Sequence, residues 1–303
     1  MPLRQRSGGA LFRSDRSVPM PDKNFTKAKS ILMFRSLGSD FDPKVVGTIH
    51  KTLASIEQEN RVRIPLAIES GSRAWGFPSP DSDYDCRFIF VRPDREHVTL
   101  WPRRDVIEVP LTDVLDINGW DLAKALKLML KGNAVVFEWL QSPYSYIEHE
   151  EFQQDLLQFG LHRVDRMKIY KHYYRLGKAQ RETYFSDERS VPMKKLFYAV
   201  RPAAALRWMR ANPDRPVPPM HFQKLVKEIE ISSELRELID LLLAEKAKTR
   251  EMGAAPLPAP IAAFISEEFD LAASILENHI DRYDERLMKE TDDFYRQMVS
   301  RWG

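Results

Sequence analysis

The 303-residue chain contains a single cysteine, Cys86. One thiol excludes an intramolecular disulfide and any multi-cysteine metal centre, and it suits a reducing compartment, so a cytoplasmic location is expected. No apolar run approaches the ~18 residues needed to span a bilayer, so no membrane association is expected. The N-terminus is basic but lacks the apolar segment of a secretory signal. Charge of one sign is also missing: 46 Lys and Arg against 44 Asp and Glu give a net charge of +2. A surface for an anionic polymer must therefore come from local patches. The seven histidines form no Hx₃H or HxxEH set, which argues against zinc.

The remaining composition, 43% hydrophobic and 30% charged, fits a globular protein long enough for two domains. Residues 1–40 read as a disordered arm. In 43–60, Val45, Ile49, Leu53 and Ile56 fall on one helical stripe. "RIPLAIE" (63–69) reads as a buried strand and "SDYDCRFIFV" (82–91) as a second, rich in aromatic and β-branched residues. Two shorter strands are expected at 106–110 and 114–118, then helix from Trp120 with a break at Gly132 and Asn133. A small α/β catalytic domain is thus expected over 41–145. From 146 to 303 the three-to-four spacing is almost unbroken, and two proline-rich joints separate helices, so this half reads as a helical domain. The stretch 191–211 reads as one helix. The fold class expected is α+β, a mixed sheet with flanking helices followed by a helical bundle.

The chemistry concentrates in "SGSRAWGFPSPDSDYDCRFIFV" (70–91). Residues two apart on a strand face the same side, so Asp83 and Asp85 point together and Arg87 continues that face. Tyr84, Cys86, Phe88 and Phe90 point to the other side and belong in a core. Two carboxylates ~5 Å apart repel by roughly 3 kcal/mol at an effective dielectric of 20 unless a cation lies between them. Mg²⁺, held by one or two carboxylates and phosphate oxygens, is a suitable cation. The plainer reading is a turn capped by Asp81, Ser82 and Asp83, with Asp85 paired to Arg87 or Arg73. The turn before the strand favours the first reading. Gly71 lets the backbone approach a ligand, Ser72 adds a hydroxyl and Arg73 a fixed charge, which together can hold a triphosphate.

This stretch resembles the signature of the DNA polymerase β-like nucleotidyltransferase superfamily: Gly-Ser, a spacer of roughly ten residues, then Asp-x-Asp. Together with "GWDLAKALKLMLKGNAVVFEWLQSP" and "KKLFYAVRPAAALRW", it is similar more narrowly to the RNA-repair-pathway branch, the RNA-ligase-associated polymerases. The resemblance covers about 62–210.

It implies a transfer of a nucleoside monophosphate from an NTP to an acceptor hydroxyl, with two Mg²⁺ ions (Mn²⁺ as the alternative) held by Asp83, Asp85 and a third acid. By position the third acid is Glu108, Asp113, Asp116 or Asp121. The family pattern has an acid eight residues before a helix lysine, which lands on Asp116 ahead of Lys124, while Asp121 stands where a helix cap belongs. Lys124, Lys127 and Lys131 read by default as a solvated helix face, but the resemblance places a basic residue at Lys124 and matches Asn133 and Glu138, which read as a cap of the helix break and as the holder of a basic residue.

Lys194, Tyr198 and Arg201 are spaced to share a helix face, a stripe suited to a phosphate tail and a base, or equally to a salt-bridged surface. The acceptor implied is an RNA end. Transfer to a protein or small molecule, or nucleotide binding without transfer, are the alternatives.

Overall fold

The structure is a computed structural model that describes residues 37–303, except 39, 102, 186, 251, 278 and 280–283. Most of the arm expected over 1–40 lies outside the described residues. The described chain begins with helix α1 (Pro43–Asn60), whose N-terminus is capped by Asp42 accepting from the Lys44 amide at 2.8 Å. Strand β1 (Arg63–Glu69), short helix α2 (Gly71–Trp75) and strand β2 (Tyr84–Val91) follow. Then come β3 (Val106–Glu108), β4 (Leu115–Asp121), α3 (Leu122–Leu130), α4 (Ala134–Gln141) and β5 (Ser145–Glu148). The helical half contains α5 (Glu150–Arg163), α6 (Arg166–Tyr184), β6 (Val191–Pro192), α7 (Phe197–Ala211), α8 (Phe222–Lys227), α9 (Ser233–Lys248), β7 (Ala254–Ala255), α10 (Ala259–Glu277) and α11 (Glu285–Trp302). The architecture is α+β.

Five strands form a mixed sheet in the order β3-β4-β2-β1-β5. β2 and β4 run parallel, and the other neighbours are antiparallel. On one face Ile49, Leu53 and Ile56 of α1 pack with Tyr84, Cys86, Phe88 and Phe90 of β2, as the alternation predicts. Fully burying an aliphatic side chain of this size contributes about 1.5–3 kcal/mol. The other face carries Leu66, Ile68, Ile89 and Val91. They join a core that runs through Leu126, Phe137 and Trp139 into Phe197, Trp208 and Phe264 of the helical half. Sheet and helices therefore share one core, which packs the helices against that face of the sheet.

Three features depart from the sequence expectations. The strand expected at 114–118 runs on to Asp121, so Trp120 stands on β4 and the helix begins only at Leu122. β5 was not foreseen; it closes the sheet by pairing with β1, with Ala67 opposite Ile147. The stretch 191–211 is not one helix. Val191 pairs with Ala255 in a two-stranded ribbon, residues 193–195 make a single 3₁₀ turn, and only then does α7 begin. Lys194 therefore does not lie on the helix that carries Tyr198 and Arg201.

Candidate active site

The end of β1, the turn after it and the start of β2 are tied into one unit. Gly71 has φ +59°, a conformation that an L side chain adopts only with strain. A Cβ built there would lie 1.8 Å from Asp85 Oδ2, so the turn backbone rests directly on that carboxylate. The Ser70 amide donates to the Asp85 carbonyl at 2.8 Å. Ser72 Oγ donates to Ser82 Oγ at 3.0 Å. Arg73 donates to the carbonyls of Ser82 at 2.8 Å and Asp83 at 3.3 Å, and its guanidinium lies 4.2 Å from the Tyr84 ring centre. Glycine, serine and arginine thus fasten α2 to the carboxylate-bearing segment.

The parallel register of β2 and β4 sets Asp85 directly opposite Asp116. Arg87 lies between them: its Nη2 donates to Asp85 Oδ1 at 2.9 Å and Asp116 Oδ2 at 2.7 Å, and Nη1 donates to the Asp116 carbonyl at 2.7 Å. Asp85 and Asp116 remain 26% and 35% exposed, so both are reachable from solvent. Burial raises the Asp85 pKa above the usual carboxylate value; Arg87 opposes this and Asp116 adds to it. Asp83 stands just before β2 and is exposed.

The other candidate acids lie elsewhere. Asp121 caps α3, accepting from the Ala123 amide at 2.8 Å, and sits 3.4 Å from Arg92. Glu108 pairs with Arg104 on β3. Asp113 helps to line a cavity of about 620 Å³ whose wall also includes Arg73, Ser82, Asp83 and Arg250. Asp85 and Asp116 are not part of that wall.

Among the described residues, no three His, Cys, Asp or Glu side chains are drawn together as a ready metal centre. The donors nevertheless suit Mg²⁺. Asp83, Asp85 and Asp116 offer only hard carboxylate oxygens, and Asp85 and Asp116 stay partly exposed beside the Arg87 they share.

Beside the candidate site, the buried charged residues Glu69 and Lys246 carry no motif that the sequence analysis selects. Glu69, at the end of β1, is fully buried; it accepts from the Tyr146 hydroxyl and, at 3.2 Å, from the Asp85 amide. Burial pushes its pKa up to about 7. The signal was a lone acid closing an otherwise apolar strand. Lys246 of α9 is 2% exposed, with Nζ 5.9 Å from the Phe77 ring centre. Burial lowers its pKa to about 8; nearby Lys194 adds to the shift and Asp81 opposes it. Its place in an ordinary amphipathic helix carried no signal.

Lys194, Tyr198 and Arg201 have three different surroundings. Lys194 Nζ lies 2.6 Å from Asp81 Oδ2, at the rim of the turn. Tyr198 is half-buried and meets Trp75 edge-on at 5.7 Å, and burial raises its pKa, with Asp85 and Asp83 adding to the shift. Arg201 is buried: its Nη2 lies 2.6 Å from Glu138 Oε1 and its guanidinium 4.7 Å from the Trp75 ring centre. Glu138 also accepts from Tyr173 at 2.9 Å and from Trp75 Nε1 at 3.1 Å. Glu138 therefore holds a basic residue in place, as expected, and that residue is Arg201. Asn133 caps α4. Lys124 pairs with Asp105 at 3.1 Å.

The chain belongs to the RNA repair pathway DNA polymerase beta family, whose sequence profile matches residues 45–297. It is also similar to the uncharacterized protein YcgL of Bacillus subtilis (strain 168). The two are 38% identical over 200 residues, 66% of this chain and 76% of YcgL. Among the described residues, no helix is long and apolar enough to cross a membrane.

Proposed function

We propose that the protein is a Mg²⁺-dependent nucleotidyltransferase that moves a nucleoside monophosphate from an NTP, ATP among them, to a hydroxyl at an RNA end. The observation that carries the reading is the facing pair Asp85 and Asp116, joined by Arg87, with the Gly71 turn backbone set against Asp85. Asp83, Asp85 and Asp116 are the residues that would hold the metal, one Mg²⁺ or two, with Mn²⁺ as a substitute. When bound, the ion neutralises the charge of the triphosphate and lowers the pKa of the attacking hydroxyl.

The chain's own residues do the rest. Gly71 and Ser72 present the turn to the phosphates, and Arg73 keeps the turn and the Asp83 segment in one piece. Asp116, the more exposed of the facing pair, accepts the proton of the attacking hydroxyl, and pyrophosphate leaves. Lys194 brings positive charge to the rim of the turn, beside Asp81. Tyr198, beside Trp75, offers a ring to the base or ribose. Lys124 serves the acceptor side. Arg201 supports the site from beneath, through Glu138 and Trp75.

The test is incubation with Mg²⁺, each of the four α-labelled NTPs and RNA with free hydroxyl ends. Label appearing on RNA with release of pyrophosphate supports the reading. Label on a protein or small-molecule acceptor instead, or nucleotide binding without pyrophosphate release, overturns it.

A further inference from the structure

Away from the carboxylates, α3 and α6 enclose a cavity of about 290 Å³ lined by Lys131, Lys168, Lys171, His172 and Arg175. The sequence explains how it forms. Lys168, Lys171, His172 and Arg175 recur at i, i+3, i+4 and i+7, so one face of α6 carries all four. Lys131 is brought to that face by the residue after it. Gly132 has φ +75°, and a Cβ there would lie 2.3 Å from Lys168 Cβ and 2.6 Å from the Lys168 carbonyl carbon. Only glycine lets the α3–α4 turn press this closely on α6, and the contact sets Lys131 beside Lys168.

Like charges gathered in one hollow repel each other, so the arrangement suits an anion. Among the described residues no carboxylate lines the cavity, and Lys131, Lys168 and Arg175 form no ion pair. His172 also lines the cavity, and its Nε2 is buried with no hydrogen-bond partner among the described residues.

We infer that this cavity is a second substrate site, which holds backbone phosphates of the RNA acceptor away from the reacting end. The inference rests on the RNA-directed reading above and names the surface that reading lacks, because the net charge of +2 supplies no general attraction to RNA. The cavity is also joined to the turn mechanically. His172 is followed by Tyr173, whose hydroxyl donates to Glu138, and the same carboxylate accepts from Trp75 at the end of α2. RNA seated on α6 would therefore lean on the residues that support the Gly71 turn.

The test measures RNA binding without catalysis. A 5′-fluorescein single-stranded RNA 12-mer is titrated with full-length protein, without NTP, by fluorescence anisotropy at several salt concentrations. The comparison is between wild type and the double variants Lys131→Ala/Lys168→Ala and Lys131→Glu/Lys168→Glu. The alanine pair removes charge from side chains that carry no ion pair, so it keeps the test open if charge reversal disturbs folding. Loss of two phosphate contacts should weaken binding for every RNA sequence tried. It should also reduce the slope of log K against log salt by about 1.4, at about 0.7 per contact for single strands.

NTP affinity, measured separately, should not change, since neither lysine belongs to the carboxylate site. Parallel titrations with inorganic phosphate and with AMP separate the sources of phosphate. Affinity and slope for RNA unchanged in both variants would overturn the inference, as would wild type that binds no RNA. It would also fall if the variants lost only the binding of free phosphate or AMP. Because no turnover is read, the inference can fail while nucleotide transfer to RNA succeeds, and it can stand if transfer fails.

Discussion

Replacing Arg201 by methionine distinguishes a supporting residue from a ligand-binding one. The guanidinium and the Glu138 carboxylate are 2.6 Å apart and only 4% and 5% exposed, so neither can be solvated alone. Arg201→Met leaves Glu138 with two neutral donors, the Tyr173 hydroxyl and the Trp75 indole N–H, but without its counter-charge. Breaking one side of a buried ion pair costs about 3–5 kcal/mol, a large share of the roughly 5–15 kcal/mol that holds a domain folded. Glu138→Gln should cost a similar amount, because it strands the arginine. The double variant Glu138→Gln/Arg201→Met removes both charges and should be less destabilised than the sum of the singles by ~1–3 kcal/mol. Urea denaturation followed by tryptophan fluorescence measures all three. The reasoning is refuted if Arg201→Met keeps wild-type stability while NTP affinity drops, since the guanidinium would then be reaching the nucleotide.

Gly71→Ala should express and fold, yet lose nucleotide transfer far more than stability, because the new Cβ meets the Asp85 carboxylate at 1.8 Å on a turn held at φ +59°; wild-type turnover would show that the turn does not rest on Asp85. Lys246 is charged up to about pH 10.5 when unfolded but only to about 8 when folded. The folded state therefore binds fewer protons between those values, and stability rises with pH across that window, while below pH 8 the whole cost is present. Lys246→Met should abolish that rise and stabilise the protein at pH 7 by up to about 3 kcal/mol, at 1.36 kcal/mol per pKa unit, and an unaltered pH dependence in urea melts would contradict it. Asp116→Ala should lower turnover much more than NTP affinity, as expected for a group that acts chiefly in the transition state. Asp121→Ala should instead lower stability by more than the ~1 kcal/mol of a lost helix cap, because it also leaves the buried Arg92 without its partner, with turnover retained; steady-state kinetics beside urea melts would expose the reverse pattern.

The parts of the fold legible in the sequence are those set by local periodicity. The stripe of α1 and the alternation of β2 each bury the residues that their spacing selects. Asp116 was favoured by its spacing to Lys124, and the parallel register opposite Asp85 gives that spacing a physical meaning that one strand alone cannot show. What escaped depends on distant partners. β5 is four residues long and exists because β1 offers it an edge. The 191–211 stretch has helical spacing throughout, yet its first residues pair with Ala254 and Ala255. Arg201 has the spacing of a surface cation, and only its meeting with Glu138 of α4 makes it a buried one. Lys246 becomes visible only when α9 packs beside Phe77 and Lys194.

The central claim is that the Asp85–Asp116 pair serves metal-dependent nucleotidyl transfer. Its most direct test is pyrophosphate release from NTP in the presence of RNA, with and without Mg²⁺, by wild type and by Asp85→Asn, both shown to be folded by circular dichroism. The account predicts Mg²⁺-dependent release by wild type. In Asp85→Asn it predicts a fall of at least the ~10²–10³-fold seen when a single group that stabilises a transition state is removed. Equal release by the two proteins, or release from wild type that is indifferent to Mg²⁺, would contradict it.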